Sequence, residues 1–203
     1  RPQNSQLFNK DAFYQRWYAR VFSTEHVSVH PNTEPSQAIA WLRGASPMPS
    51  LETLGTAEAL HPWLQLSTSL TQKLQHTFAT KPGLSLLGEG LEPGNVWERE
   101  LLSTQRNVYA RHIALTIDGA HIVLARSVTT QGSGMGALTS LKTRPLAELL
   151  FEESQWERSP CMQYLALDGS VPGRGCLWHN RAFDAGLIVQ EFFLHALLAK
   201  IDS

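Results

Sequence analysis

The feature that most constrains the fold is a two-strand pattern around the dipeptide Asp118-Gly119. An Asp-Gly pair favours a tight hairpin turn, because both central residues of a type I′ turn need positive φ. Residues 107–117 before the pair and 121–128 after it place apolar side chains at every second position, the period of a strand. We therefore predict a β-hairpin with one apolar face.

Each of these predicted strands carries an arginine on its apolar face. Arg111 has the parity of Tyr109 and Ile113, and Arg126 has the parity of Leu124. A loop of two residues would place Arg111 directly opposite Arg126, where like charges repel. A buried guanidinium without a partner is costly. The pair therefore calls for a carboxylate, supplied by the protein or by a ligand.

A candidate carboxylate lies near the end of the chain. Residues 187–194 read as another strand, in which Glu191 shares a face with Val189 and Phe193. Two interpretations are equally open from this parity. Glu191 either forms a structural ion pair with an arginine, or belongs to an active site for an anionic substrate.

Composition narrows the classes of protein. The 203 residues suffice for one domain with a substantial core. With 17 basic and 18 acidic residues and a net charge of -1, the chain lacks the basic surface of a nucleic-acid-binding protein. Two cysteines, Cys161 and Cys176, make no disulfide framework. No apolar run approaches the roughly 18 residues of a membrane span, and no signal-peptide pattern is present at the start. We expect a soluble protein of a reducing cytoplasm.

The order of patterns along the chain predicts an antiparallel α+β fold. Strands joined by hairpins, with helices clustered elsewhere, favour this class over alternating βαβ units. The predicted helices are 9–22, 38–43, 70–77 and a helix within 139–151 that has Pro145 in its first turn. The strands predicted besides the hairpin are 84–88, 164–167, 176–183 and 187–194.

Other motifs favour neither a nucleotide nor a metal site. The glycine-rich segment 131–136 fits neither the dinucleotide nor the P-loop spacing, so we interpret it as a flexible flap. Cys161, Cys176 and His179 lack the paired spacing of a zinc site. We predict no metal or other cofactor.

Several short motifs, in this order and with compatible spacing, resemble the chorismate lyase (chorismate-pyruvate lyase) family. The resemblance covers about residues 57–195. The motifs are Trp63-Leu64, Ser69-Leu70-Thr71, YARHIAL at 109–115, ARSV at 125–128, RPLAELLF at 144–151 and QEFFL at 190–194.

The resemblance implies a fold and a domain organisation. The family has an antiparallel sheet of about six strands with helices packed on it and helical flaps over an internal ligand site. We accordingly expect a lyase-like domain over residues 56–203. Residues 1–55 would form an N-terminal extension with a helix and an irregular segment.

The resemblance also implies roles for five residues. Arg111 and Glu191 would be the catalytic residues, and Leu70 and Leu146 would border the ligand through their backbone groups on two flaps. Arg126 would take part in substrate binding or entry. The chain departs from the family pattern at three positions: Thr129-Thr130 replaces a proline, and Ala147 replaces a glycine.

The implied reaction converts chorismate to 4-hydroxybenzoate and pyruvate without a cofactor, as the first committed step towards ubiquinone in a bacterial cytoplasm. The expected partners are these small molecules, with no nucleic acid and no membrane span, and the expected state is a monomer. Two alternatives stay open. A non-catalytic, effector-sensing domain of the same fold would bind a small molecule without turnover, and a structural protein would bind none.

Overall fold

A single antiparallel sheet of seven strands organises the residues that the computed structural model describes, 34–152 and 155–203. The order across the sheet is β1-β5-β6-β7-β4-β3-β2. The strands are β1 (Ser46–Met48), β2 (Gly83–Glu92), β3 (Val108–Ile117), β4 (Ala120–Thr129), β5 (Trp156–Leu167), β6 (Val171–Asn180) and β7 (Ala185–Phe193). The antiparallel α+β class is thereby confirmed, with slightly more strands than the expected six.

The described helices are short and lie on both faces of this sheet. They are α1 (Pro35–Arg43), α2 (Leu51–Leu54), α3 (His61–Leu64), α4 (Leu70–Phe78), α5 (Val96–Leu101), α6 (Ser133–Leu141), α7 (Leu146–Glu152) and α8 (His195–Ile201), with a 3₁₀ turn at Glu58–Leu60. None of the helices in this part of the chain is long and apolar enough to cross a membrane.

The predicted helices agree with the structure to different degrees. Those expected at 38–43 and 70–77 correspond to α1 and α4, and the Ser69 hydroxyl caps α4 by accepting from the Gln72 amide at 3.3 Å. The helix predicted within 139–151, with Pro145 in its first turn, corresponds to α7, and a separate helix, α6, ends where the backbone at Lys142 has a φ of 53°. The helix predicted at 9–22 lies outside the described residues.

The β3–β4 hairpin is confirmed, but its predicted register is wrong. Asp118 and Gly119 both have positive φ, as the tight turn requires. A β-bulge two residues further on shifts the pairing, so that Arg111 lies opposite Ser127 and not opposite Arg126. Because one residue of slip reverses every side chain that follows, the two arginines lie on opposite faces of the sheet.

Each face of the sheet has its own helical cover. We call the face that carries Arg111 and Glu191 the front face; α3, α4, α6, α7 and α8 pack on it. The opposite, rear face carries Arg126 and packs against α1 and α5. The sheet therefore separates two buried environments, each containing charged side chains.

Residues 34–55 pack against the same sheet as the other described residues. Helix α1 packs on the rear face through Ala38 and Leu42, and β1 pairs with β5 at the edge of the sheet. The domain boundary expected between residues 55 and 56 stays a prediction.

Candidate functional site

A small cavity of about 30 Å³ lies between the front face and the segments that cover it. Strands β5, β6 and β7 supply its floor, and the start of α4 and the end of α7 supply its cover. The lining residues are Thr68, Leu70, Leu150, Phe151, Arg158, Arg174, Cys176, Trp178, Val189 and Glu191.

The pairing of β6 with β7 brings a carboxylate and a guanidinium together on the cavity floor. Arg174 on β6 lies directly opposite Glu191 on β7, and both side chains point to the front face. Arg174 Nε donates to Oε2 of Glu191 at 2.9 Å, and Arg174 Nη2 lies 2.8 Å from the same carboxylate oxygen. Within the described residues, the other oxygen of Glu191 has no hydrogen-bond donor. One carboxylate oxygen is thus left for a ligand.

Two guanidinium groups hold the first flap, which we define as residues 66–70. Arg158 Nη1 donates to the carbonyl oxygen of Leu66 at 3.2 Å, and Arg174 Nη1 donates to the same oxygen. One neutral oxygen therefore stands where two cations converge. Leu70, predicted to border the ligand, follows directly at the first turn of α4 and lines the cavity.

A third guanidinium holds the second flap, which we define as residues 142–151. Arg111 Nη2 donates to the carbonyl oxygens of Lys142 and Arg144, each at 3.0 Å. Leu146, the second residue predicted to border the ligand, begins α7 in this flap and is buried. The two flaps are thus fastened to the front face in the same way, by arginine side chains on backbone oxygens.

Arg111 is a buried cation that forms no ion pair within the described residues. Its side chain is 1% exposed, its Nε has no hydrogen-bond partner, and no carboxylate oxygen within the described residues lies within 4 Å of it. Burial lowers the pKa of Arg111, and the nearby charge of Glu89 opposes that shift. An arginine titrates far above neutral pH, so the group stays charged. An anionic ligand would supply the missing charge.

Arg111 lies beside the cavity and is not part of its lining. Arg111 faces Ser127 on β4, Ser127 faces Val189 on β7, and Val189 faces Cys176 on β6. The arginine is therefore in one cross-strand row with two residues of the cavity floor. Its Nη2 atom donates to the second flap.

Arg126 occupies a different environment on the rear face. Its Nε and Nη2 donate to the two carboxylate oxygens of Glu98 at 2.6 and 3.0 Å, and its Nη1 contacts Glu92 and the ring of His112. Burial, reinforced by the Arg126 charge, lowers the pKa of His112 to about 4, so the ring is neutral at pH 7. Substrate binding by Arg126 stays a prediction, and the contacts of its guanidinium are structural ion pairs.

Cys176 and His179, two of the side chains considered for a metal, contact other groups. Arg158 Nη2 lies 3.0 Å from Cys176 Sγ, and His179 Nε2 lies 3.0 Å from an Asp184 carboxylate oxygen. Burial raises the pKa of the Cys176 thiol, so it is uncharged at neutral pH. Within the described residues, no group of three His, Cys, Asp or Glu side chains is placed to hold a metal ion.

Sequence reasoning missed Arg158 and Arg174, both of which lie on the cavity floor. Their strands were predicted to begin at residues 164 and 176, whereas β5 begins at Trp156 and β6 at Val171. The proline and glycines of the segment VPGRG concealed the start of β6. Arg174, Cys176 and Trp178 occupy alternate positions, and this period of two could have indicated that the strand begins before residue 176.

The family model and the relatives found by sequence agree on one family. The chorismate lyase family model matches residues 37–201. A probable chorismate pyruvate-lyase of Shewanella loihica is 32% identical over 157 residues, covering 69% of this chain and 81% of that protein. One from an Azoarcus species is 30% identical over 171 residues, covering 72% of this chain and 90% of that protein.

Among solved structures, the effector domain of PhnF from Mycobacterium smegmatis aligns with 64% of this chain and 90% of its own. The identity is 12% and the TM-score is 0.44.

Proposed function

The chain belongs to the chorismate lyase family, and from its site we propose that it converts chorismate to 4-hydroxybenzoate and pyruvate. In this reaction the ether bond at C3 breaks, its electron pair leaves with the enolpyruvate oxygen, and C4 loses a proton. The ring becomes aromatic, and protonation of the enol carbon gives pyruvate. Aromatisation makes the step strongly downhill, so the protein mainly has to position the substrate and stabilise the departing anion.

The charge of the site suits a dicarboxylate. Arg111, Arg158 and Arg174 each carry one positive charge, and Glu191 carries one negative charge. Leaving aside Glu89, which faces Arg111 from an exposed position on β2, the surplus of two positive charges equals the two carboxylates of chorismate. Because the site is buried under two flaps, an unmatched charge there is costly, which favours a doubly charged anion over a neutral ligand.

We assign the ring carboxylate to Arg111. Its Nη2 now donates to two flap carbonyls and its Nε has no partner. A carboxylate accepts a charge-assisted, two-point hydrogen bond from a guanidinium, which is stronger than bonds to neutral carbonyls. Ligand entry would then exchange the carbonyls of Lys142 and Arg144 for the carboxylate and move the second flap.

We assign the 4-hydroxyl or the C4 proton to Glu191. Its Oε1 has no protein donor in the described residues, while Arg174 Nε and Nη2 lie 2.9 and 2.8 Å from Oε2. A carboxylate held in this way is positioned to accept a hydrogen bond from the hydroxyl or to act as a base. Both roles use the same oxygen.

The two flaps are placed to enclose the flat product, 4-hydroxybenzoate. Leu70 and Leu146 lie at the first turns of the two helices that border the site, where backbone groups are available to a ligand. A product enclosed under two tethered flaps leaves only when they open, so product release would limit turnover.

The observation that carries the proposal is the buried, unpaired Arg111 beside the Arg174–Glu191 pair under two flaps. The test is to incubate the purified protein with chorismate and to separate the products by liquid chromatography. Formation of 4-hydroxybenzoate and pyruvate in equal amounts, above the spontaneous rate, is the expected result. Chorismate that is consumed no faster than in buffer would refute the proposal.

An Arg111→Gln variant assigns the activity to this site. We expect it to lose turnover and to bind 4-hydroxybenzoate weakly, because the ring carboxylate loses its cation. Arg106→Gln is the matched control, since Arg106 is an exposed arginine ahead of the same strand.

We further propose that the protein acts as a monomer in a bacterial cytoplasm and supplies 4-hydroxybenzoate for ubiquinone synthesis. Its mass in solution tests the monomeric state.

A further inference from the structure

Arg158 is the cation of the cavity that sequence reasoning did not single out and that has no acidic partner in the described residues. Its guanidinium contacts one neutral oxygen and two sulfur atoms: the Leu66 carbonyl at 3.2 Å, Cys176 Sγ at 3.0 Å and Met162 Sδ at 3.8 Å. Sulfur is a weak acceptor. Nη2 of Arg158 therefore donates only to sulfur, within the wall of a cavity.

The neighbouring arginine makes this corner a two-cation site. Arg174 and Arg158 both donate to the Leu66 carbonyl oxygen, so their Nη1 atoms meet at one point. Arg174 is already neutralised by Glu191, whereas Arg158 is not. A carboxylate placed at this point would gain the uncompensated charge of Arg158 and a hydrogen bond from each guanidinium.

We propose that Arg158 binds the enolpyruvyl carboxylate of chorismate and thereby distinguishes substrate from product. The inference rests on the proposed function and adds the second anionic subsite to it. Arg111 holds the ring carboxylate, which substrate and product share. Arg158 holds the carboxylate that leaves with pyruvate, which 4-hydroxybenzoate lacks.

The placement of Arg158 also suits the bond that breaks. Negative charge develops on the enolpyruvate oxygen as its C–O bond to ring carbon C3 opens, and a nearby fixed cation stabilises that charge. Once the bond is broken, pyruvate is held by Arg158, and the aromatic product is held by Arg111. Each product then has its own anchor, on different strands of the sheet, β5 and β3.

The test compares two ligands on one variant. In Arg158→Gln we expect the affinity for chorismate, or the KM in turnover, to worsen about 10- to 100-fold, the usual effect of losing a charged hydrogen bond. We expect the dissociation constant of 4-hydroxybenzoate, measured by calorimetry, to change less than about twofold. In Arg111→Gln both ligands should lose affinity. Arg181→Gln is the matched control, because that side chain is exposed and paired only at the surface.

A second variant distinguishes loss of the Arg158 charge from a general folding defect. Arg158→Lys keeps the charge and loses the planar fork, so it should recover part of the chorismate affinity. Equal weakening of chorismate and 4-hydroxybenzoate in Arg158→Gln, or unchanged chorismate affinity, would overturn the proposal. If the wild-type protein does not turn over chorismate, the proposed function fails, and the same comparison of two binding constants still decides the role of Arg158.

Discussion

Arg126 and Glu98 form a two-point ion pair with both side chains buried, 1% and 0% exposed, on the rear face of the sheet. Gln190 Nε2 donates to Oε1 of Glu98 at 2.7 Å. Glu98 belongs to α5, Arg126 to β4 and Gln190 to β7. Glu98 therefore links α5, which packs on the rear face, to β4 and to β7, the strand that also carries Glu191.

The first prediction concerns the stability that this pair confers. Glu98→Gln removes one of the two carboxylates bonded to Arg126 and replaces the buried two-point ion pair by a contact with a neutral amide. We expect the free energy of unfolding to fall by about 3 kcal/mol, since breaking a buried pair is strongly destabilising. Urea denaturation measures the change. Glu100→Gln, an exposed position on the same helix, should change stability by less than about 0.5 kcal/mol; equal effects of the two substitutions would contradict a buried ionic role.

The hairpin shows how far local patterns determine a fold. Turn residues and period-two alternation are local, so Asp118-Gly119 and both strands were predictable from sequence. The bulge after the turn was not, because an extra residue in one strand leaves the alternation of distant residues intact. That one residue decided whether Arg111 and Arg126 share a face.

The placement of four candidate site residues was predictable from strand parity and family resemblance, whereas their roles stay predictions. Glu191 and Arg111 lie on the front face as the family pattern implies, and Leu70 and Leu146 lie at the starts of flap helices. Pairing partners across strands are not encoded locally. The assignment of Glu191 to Arg174 required the register of β6 and β7, which only the assembled sheet gives.

The second prediction is a pH dependence of stability that arises from His112. Its pKa is about 4 in the folded protein, because burial and the Arg126 charge disfavour the protonated ring, and about 6.5 when unfolded. Between these values the unfolded chain binds more protons, so stability falls as the pH falls. From pH 7.5 to pH 5 we expect a loss of about 2 kcal/mol from this group.

Urea titrations of His112→Gln check this pH dependence. The variant should have a lower free energy of unfolding at pH 7.5, with a flatter change between pH 7.5 and pH 5. His76→Gln, at an exposed position on α4, should keep the wild-type slope. Glu92, whose pKa is lowered because its bonds to Arg43 and Arg126 outweigh burial, titrates below this window. If the free energy of unfolding of His112→Gln depended on pH as in the wild type, His112 would not be the cause of the pH dependence.

The third prediction separates two glycines of α6. A Cβ added at Gly134 would lie 2.1 Å from Oγ1 of Thr129, which is itself held by a 2.7 Å hydrogen bond to the Gly186 carbonyl. A Cβ added at Gly136 meets nothing within 4 Å. We therefore expect Gly134→Ala to destabilise the protein by about 1–3 kcal/mol, and Gly136→Ala to stabilise it by about 0.5–1 kcal/mol.

Thermal unfolding of the two glycine variants, measured side by side, is the check. Opposite shifts of Tm are expected. Shifts of the same sign would mean that α6 does not pack against the end of β4 as observed. The contact also explains how Thr129 is accommodated where the family pattern has proline: its hydroxyl links β4 to β7, and its side chain limits how close α6 can come.

The last prediction tests the acid of the cavity. Glu191→Gln keeps an oxygen to accept from Arg174 but loses the negative charge and the basic oxygen. With chorismate as substrate, we expect turnover to fall at least about 100-fold, the usual contribution of a positioned acid or base. Glu157→Gln is the control, because Glu157 forms an exposed ion pair with Arg181 on the same sheet. Near-normal turnover in Glu191→Gln, with an intact circular dichroism spectrum, would reduce Glu191 to a structural partner of Arg174. A pH profile of kcat that loses its acidic limb in the variant would identify it as the base.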